Sequence, residues 1–308
     1  MAISTHLTTF AGLDVSTFEA GHALEQPDAS AWALRCDYDD NEPAFLDLLR
    51  AFANTQDADK VRALVIGAWD GEELFDVDSS STVAALVELA PKLPSLKALF
   101  VGDITYEEAE ISWIQQSDLG PLLKAFPLLE ELGARGNNGL ALGDLNHPNL
   151  KKLVVQTGGM SSALLHTLGA AHLPQLEHLE LWLGREEYGF DGDVSLLAPI
   201  LSGKLFPKLS TLALCNSERQ AEVLTSILGA PILPHLKALD ISKGTLGDAD
   251  LDGLLEADLP SGLRLDVSDN YLSPASLEAL RARGLDVFSR RQRDPNTDPE
   301  DRYTQTGE

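Results

Sequence analysis

The sequence predicts an α/β solenoid, a horseshoe with a parallel β-sheet on the concave face and helices on the convex face. Three observations predict it: a recurring Pro-x-Leu-x-x-Leu-x-Leu motif, alternation of apolar and other residues at the end of each copy, and helical spacing of apolar residues between copies. A chain of 308 residues is long for one ordinary core. Repeat proteins grow by adding units instead, so a single solenoid is the simplest organisation.

The copies begin at Pro94, Pro127, Pro148, Pro174, Pro207, Pro234 and Pro260, with 33, 21, 26, 33, 27 and 26 residues between successive prolines. A copy without the proline reads Val61-Arg-Ala-Leu64-Val-Ile66, and Leu285-Asp-Val287 is a degenerate last one. The regular part therefore runs from about Val61 to Val287. In Leu176-Glu-His-Leu179-Glu-Leu181 the last two leucines stand two apart and share one face of a strand, with Glu180 on the other. A proline just ahead of the strand lacks only an N–H that no neighbour needs there.

Between the strands, Ala84, Leu86, Val87 and Leu89 have helical spacing, as do Leu164, Leu165 and Leu168. Ala221, Val223, Leu224, Ile227 and Leu228 follow the same pattern, and so do Leu251, Leu254 and Leu255. Ser273-Pro274 predicts the start of a last helix, with a capping serine and a proline at the first helical position.

These repeats resemble the ribonuclease-inhibitor type of the leucine-rich-repeat superfamily, and Leu265-Asp-Val-Ser-Asp-Asn270 is similar to its strand-and-turn signature. The asparagine of that signature stands at Asn137 and Asn270, while Trp69, Ile104, Gly158, Gly184, Ser217 and Gly244 occupy the slot elsewhere. The segments FAGLDV, WALRCDYDD (Trp32 to Asp40) and ALVIGAW (Ala63 to Trp69) also resemble a group of bacterial leucine-rich-repeat proteins of unassigned function. The resemblance implies a binding role and brings no mechanism with it.

Residues 1–58 are expected to cap the N-terminal end, 59–288 to form the solenoid, and 289–308 to be a disordered tail of mixed charge. The cap combines a strand at Trp32–Tyr38, a helix at Pro43–Asn54 and a short edge strand at Leu13-Asp-Val15. The tail holds the compact basic cluster Arg290, Arg291 and Arg293.

Apolar residues make up 44% of the chain and aromatic ones 6%, so Leu, Ala, Val and Ile must fill the layers. With 23 Lys+Arg against 48 Asp+Glu, the formal charge of −25 repels a phosphate backbone and argues against nucleic acid. It leaves a basic protein or peptide as a favoured partner. No apolar run is long enough for a membrane span and no secretory signal is visible, which leads to an expectation of a cytoplasmic protein. Cys36 and Cys215, far apart in strand-like segments, suit reduced thiols.

The candidate binding surface is the concave strand face, with Phe100, His178, Glu180, Trp182, Asp240, Arg264 and Asp266 projecting from it and Ser242 and Ser268 beside them. Trp182 is its expected centre, because a tryptophan left in water calls for a partner. The alternative is a metal protein or an enzyme. His178 and Glu180 would begin a zinc site, or His178 would act as base to a Cys215 nucleophile. An acidic edge formed by Asp37–Glu42 and by Asp70, Glu72, Glu73 and Asp76 would hold a divalent cation, centred near Asp39 and Asp70. Glu42 and Leu48, however, stand where an EF-hand loop needs glycine and glutamate. Phosphate loops and common catalytic signatures are absent from the sequence, so neither a cofactor nor catalysis is expected.

Overall fold

A computed structural model describes residues 3–37, 39–71 and 73–306. The chain forms two compact units that divide between Val155 and Gln156.

The first unit opens with β1 (Thr9–Phe10) antiparallel to β2 (Leu13–Thr17), followed by β3 (Ser30–Leu34) and α1 (Glu42–Asn54). Then come β4 (Ala63–Ile66), α2 (Ser80–Leu89), β5 (Ala98–Val101), α3 (Gly120–Ala125), β6 (Glu131–Arg135) and β7 (Lys152–Gln156), the last at the unit boundary. From β2 to β6 each strand pairs in parallel with the next. The repeat leucine holds its register: Leu64 lies opposite Leu99, and Leu99 opposite Leu132. All three are fully buried toward the helices. The predicted edge strand and cap helix are both present. Asn41 caps α1 by accepting from the Ala44 N–H at 3.1 Å, and Pro43 occupies its first turn. Tyr38, the end of the predicted cap strand, lies outside the described residues.

The second unit contains α4 (Ser162–Gly169), β8 (His178–Gly184), α5 (Ala198–Leu201), β9 (Thr211–Ser217) and α6 (Gln220–Leu228). It continues with β10 (Ala238–Asp240), α7 (Asp252–Glu256), β11 (Arg264–Asp266), α8 (Pro274–Ala282) and β12 (Asp286–Phe288). Its strands are parallel, and Leu179, Leu212, Leu239, Leu265 and Val287 stand in register. Ser273 caps α8 through Ser276 N at 3.2 Å, as its sequence predicts. In each unit the leucines face the helices and the alternate residues form an open face, which is the α/β leucine-rich-repeat solenoid architecture.

The irregular asparagine slot has a structural answer. Asn270 is fully buried, donates to the carbonyls of Ile241, Val267 and Ser268, and accepts from Leu246 N. Elsewhere glutamines from other positions do this work. Gln116 donates to Arg135 O at 2.8 Å, Gln220 to Leu214 O at 2.8 Å and Gln292 to Val267 O at 2.7 Å. Gln116 and Gln220 reach carbonyls that Asn270 does not serve, and Gln292 shares Val267 O with Asn270, so these turn carbonyls are satisfied.

Both terminal segments pack on the repeats. Residues 3–10 run over the open face of the first unit, where Phe10 meets the Phe100 ring edge-on at 6.0 Å and Leu7 packs on the same cluster with Leu13 and Val15 of β2. Fully buried Asp103 fastens this segment. It accepts from Leu7 N at 3.1 and 3.2 Å and pairs with Arg35 at 3.3 Å and Arg135 at 3.6 Å. His6 lies 3.5 Å from both Asp103 and Glu108. The hydrogen bond with Asp103 raises the His6 pKa above 6.5 despite partial burial, with Glu108 adding to the rise and Arg35 opposing it.

A group whose pKa is raised on folding stabilises fully below its unfolded value and loses that contribution as the pH rises through the folded one. His6 should therefore hold the segment best below about pH 6.5 and less well at higher pH. An NMR titration of the His6 ring should give a midpoint above 6.5. A midpoint at or below that value contradicts the pairing.

The tail expected to be disordered, residues 289–308, is described to residue 306 and lies against the turns of the second unit. Thr306 is 2% exposed and accepts and donates with Asn216, while Gln305 N donates to Lys243 O at 2.8 Å. Tyr303 N donates to the Tyr271 hydroxyl at 2.9 Å, and the Arg185 guanidinium lies 4.3 Å from the Tyr303 ring centre. Two arginines of the basic cluster are spent in these contacts: Arg291 pairs with Asp269 at 3.0 Å, and Arg293 donates to the Tyr271 hydroxyl and Thr304 O. Low apolar content predicts disorder only when no backbone or aromatic partner is on offer, and the turns offer both.

Candidate functional site

The open face of β8 to β12 carries the candidate site. Alternation brings His178 and Glu180 from β8, Asp240 from β10 and Arg264 and Asp266 from β11 onto one side. They line a groove of about 500 Å³ with Thr211, Ala213, Ala238, Leu239, Ser268, Phe288 and Arg290. Small residues in the middle, Ala213 and Ala238, leave the groove its depth. Asp240 and Asp266 are held alike, each accepting at 2.8 Å from the amide two residues on, Ser242 N and Ser268 N. That repeated turn fixes both carboxylates at the same height on adjacent strands.

Charge is divided across the groove. Glu180, Asp240 and Asp266 line one part, while Arg264 and Arg290 sit toward β12. Arg264 lies 5.1 Å from the Phe288 ring centre and 3.8 Å from Asp286. Burial pushes the Asp240 carboxyl up, against Lys243 and the Ser242 hydrogen bonds. Burial alone would also raise Glu180, but His178 and the Trp182 indole N–H, 2.8 Å from its carboxylate, hold it below the usual value. Lys243, in a left-handed turn at φ 65°, donates to Ser242 Oγ at 3.1 Å. Burial works against its charge, yet the surrounding Cys215, Asp240, Glu180 and Asp266 groups raise its pKa.

Two expected binding residues are covered. Trp182 is only 5% exposed, because its indole donates to Glu180 and the Lys243 ammonium lies 5.4 Å from its ring centre. It supports the floor and does not line the groove. Phe100 belongs to the other unit and is 4% exposed under Phe10 and the Arg135 guanidinium, 5.4 Å from the ring centre. Its ring fills space that Gly133 leaves on β6, where a β-carbon would lie 2.2 Å away. Alternation assigned each residue its strand face correctly, but says nothing of what lies on top.

His178 lies 3.7 Å from Glu180, but the strand register does not bring Cys215 and His178 together. Cys215 is opposite Trp182, whereas His178 is opposite Thr211. Four residues along a strand separate thiol and imidazole by about 13 Å. Cys215 is fully buried, and desolvation raises its thiol pKa well above the usual value, which disfavours the reactive thiolate. Asp70, expected on an acidic edge, is buried and accepts from Glu42 N and Glu73 N at 2.8 Å each, tying α1 to the neighbouring turn. Asp39 is exposed, and Glu72 lies outside the described residues. Among the described residues no three His, Cys, Asp or Glu side chains converge as a metal site. Nor is any helix among them long and apolar enough to cross a membrane.

Lys243 and Phe288 were not picked out from the sequence. The alternation of Asp286 and Phe288 about Val287 was a usable signal for the phenylalanine, while Lys243 sits in a turn where no strand pattern applies.

Among solved structures the chain is similar to a Bacteroides fragilis protein, with 33% identity, a TM-score of 0.78, and coverage of 89% of this chain and 76% of that one. The chain belongs to the same family as that protein. Its repeats make it a leucine-rich-repeat family member. An internalin from Listeria monocytogenes matches over 78% of this chain and 56% of its own, at 14% identity and a TM-score of 0.35. No family model and no curated protein sequence matches the chain.

Proposed function

We propose that this family member is a non-catalytic interaction module that binds a protein or peptide segment in the groove of β8 to β12. The observation that carries this reading is the groove's lining, in which fixed carboxylates at Asp240 and Asp266, cations at Arg264 and Arg290, and an aromatic ring at Phe288 share one open face. Such a mixed, elongated surface suits a polypeptide better than a small apolar ligand. A basic side chain of the partner pairs with Asp240 and Asp266, and an acidic one with Arg264.

The test is recovery of cross-linked partners from the native cell with the wild-type chain and with an Asp266→Lys, Arg264→Glu double variant. Exchanging the two charges keeps the net charge constant while inverting the groove. A partner recovered with the wild type and lost with the double variant supports the reading. Equal recovery with both overturns it.

A further inference from the structure

A second surface, on the first unit, is independent of that groove. Three of the five large hydrophobic side chains exposed among the described residues, Phe75 (44%), Tyr106 (44%) and Trp113 (56%), line one shallow groove of about 610 Å³. Asp76, Glu107 and Glu110 lie among them. The loops that follow β4 and β5 build it. Leu64 and Leu99 are 35 residues apart and Leu99 and Leu132 33, whereas Leu132 and Leu153 are only 21 apart. The extra length emerges on one side of the repeats, where insertions in such folds collect.

The aromatics are not spare core residues. The chain has four tryptophans, and Trp32, Trp69 and Trp182 are buried while Trp113 is not. The carboxylates are not consumed by internal cations either: Glu107 meets only the Tyr106 hydroxyl, at 3.3 Å, and no ion pair involves Asp76 or Glu110 among the described residues. Glu108 is the exception, capping Thr105 and facing His6. Exposed aromatic faces interleaved with carboxylates form a surface that an arginine satisfies on both counts, since its guanidinium stacks on a ring and pairs with a carboxylate.

We propose that this groove docks an arginine-bearing basic segment of a partner protein, with guanidinium groups over Phe75, Tyr106 and Trp113 and paired with Asp76, Glu107 and Glu110. The net charge of −25 draws such a segment in, and the aromatic faces hold it.

The probe is a fluorescein-labelled Gly-Arg-Gly-Arg-Gly-Arg peptide, followed by anisotropy at physiological salt, where distant charges are screened. Binding should weaken about fivefold in Trp113→Ala and about tenfold or more in Asp76→Lys, Glu107→Lys. The control pair Asp252→Lys, Glu256→Lys on α7 changes the net charge equally, and Asp266→Lys disables the groove of β8 to β12. Both controls should stay within about twofold of wild type. Peptide should also protect Trp113 from acrylamide quenching, and circular dichroism checks that each variant is folded. No binding to the wild type, an equal loss in the α7 pair, or retention in Trp113→Ala overturns the proposal. Loss confined to Asp266→Lys also overturns it, because the peptide then occupies the other groove.

Discussion

Asp103→Ala is expected to destabilise the first unit by about 3–5 kcal/mol, because it removes the fully buried carboxylate that Arg35, Arg135 and the Leu7 amide share. Arg135 is 3% exposed, lies 3.6 Å from Asp103, and also donates to Ile104 O at 3.0 Å. Arg35 and the Leu7 amide lose their shared acceptor at the same time. Residues 3–10 should then detach and uncover Phe100. Urea unfolding measures the loss of stability, and the thiol of Cys36 gives a local readout, since burial pushes its pKa up to about 12 and shields it in the folded unit. Faster labelling of Cys36 with a lower urea midpoint is the expected result. A loss under about 1 kcal/mol would show that the Asp103 contacts are balanced by desolvation.

Asn270→Ala should cost the second unit about 3 kcal/mol, since a buried amide without its partner costs about 1–3 kcal/mol per group. The side chain serves three carbonyls and one amide across adjacent turns and is fully buried. Here Cys215 is the local probe, buried on β9. Asn270→Gln should not rescue fully, because Gln292 already occupies the longer reach to Val267 O. Wild-type stability in Asn270→Ala would mean that the turn carbonyls are satisfied without it.

Much of the fold was legible because one residue type marks one structural position. Leu64, Leu99 and Leu132, and Leu179, Leu212, Leu239 and Leu265, were aligned by the motif and are paired in register. The helix start at Ser273 was equally readable, since capping is a local interaction. The substitution of Gln116, Gln220 and Gln292 for asparagine was not, because these side chains enter the turns from outside the motif.

The site was legible to the same depth and no further. Period-two alternation put His178, Glu180, Asp240, Arg264 and Asp266 on the open face, where they line the groove. It also put Phe100 and Trp182 there, and both are covered by partners distant in sequence, Phe10 and Lys243. The tail's contacts are hydrogen bonds and arginine–tyrosine stacking, neither of which registers in apolar content. The aromatic groove is not legible in the sequence, because Phe75, Tyr106 and Trp113 lie in loops, outside any periodic pattern.

The central claim, that the groove of β8 to β12 binds a polypeptide, is tested most directly by site-specific photo-cross-linking in the native cell. The photoreactive residue replaces Ala238 inside the groove or Glu222 on the exposed side of α6. A discrete cross-linked protein from position 238, absent from position 222, is the predicted result. The same species from position 222 alone would contradict the claim and move the interface to the helices.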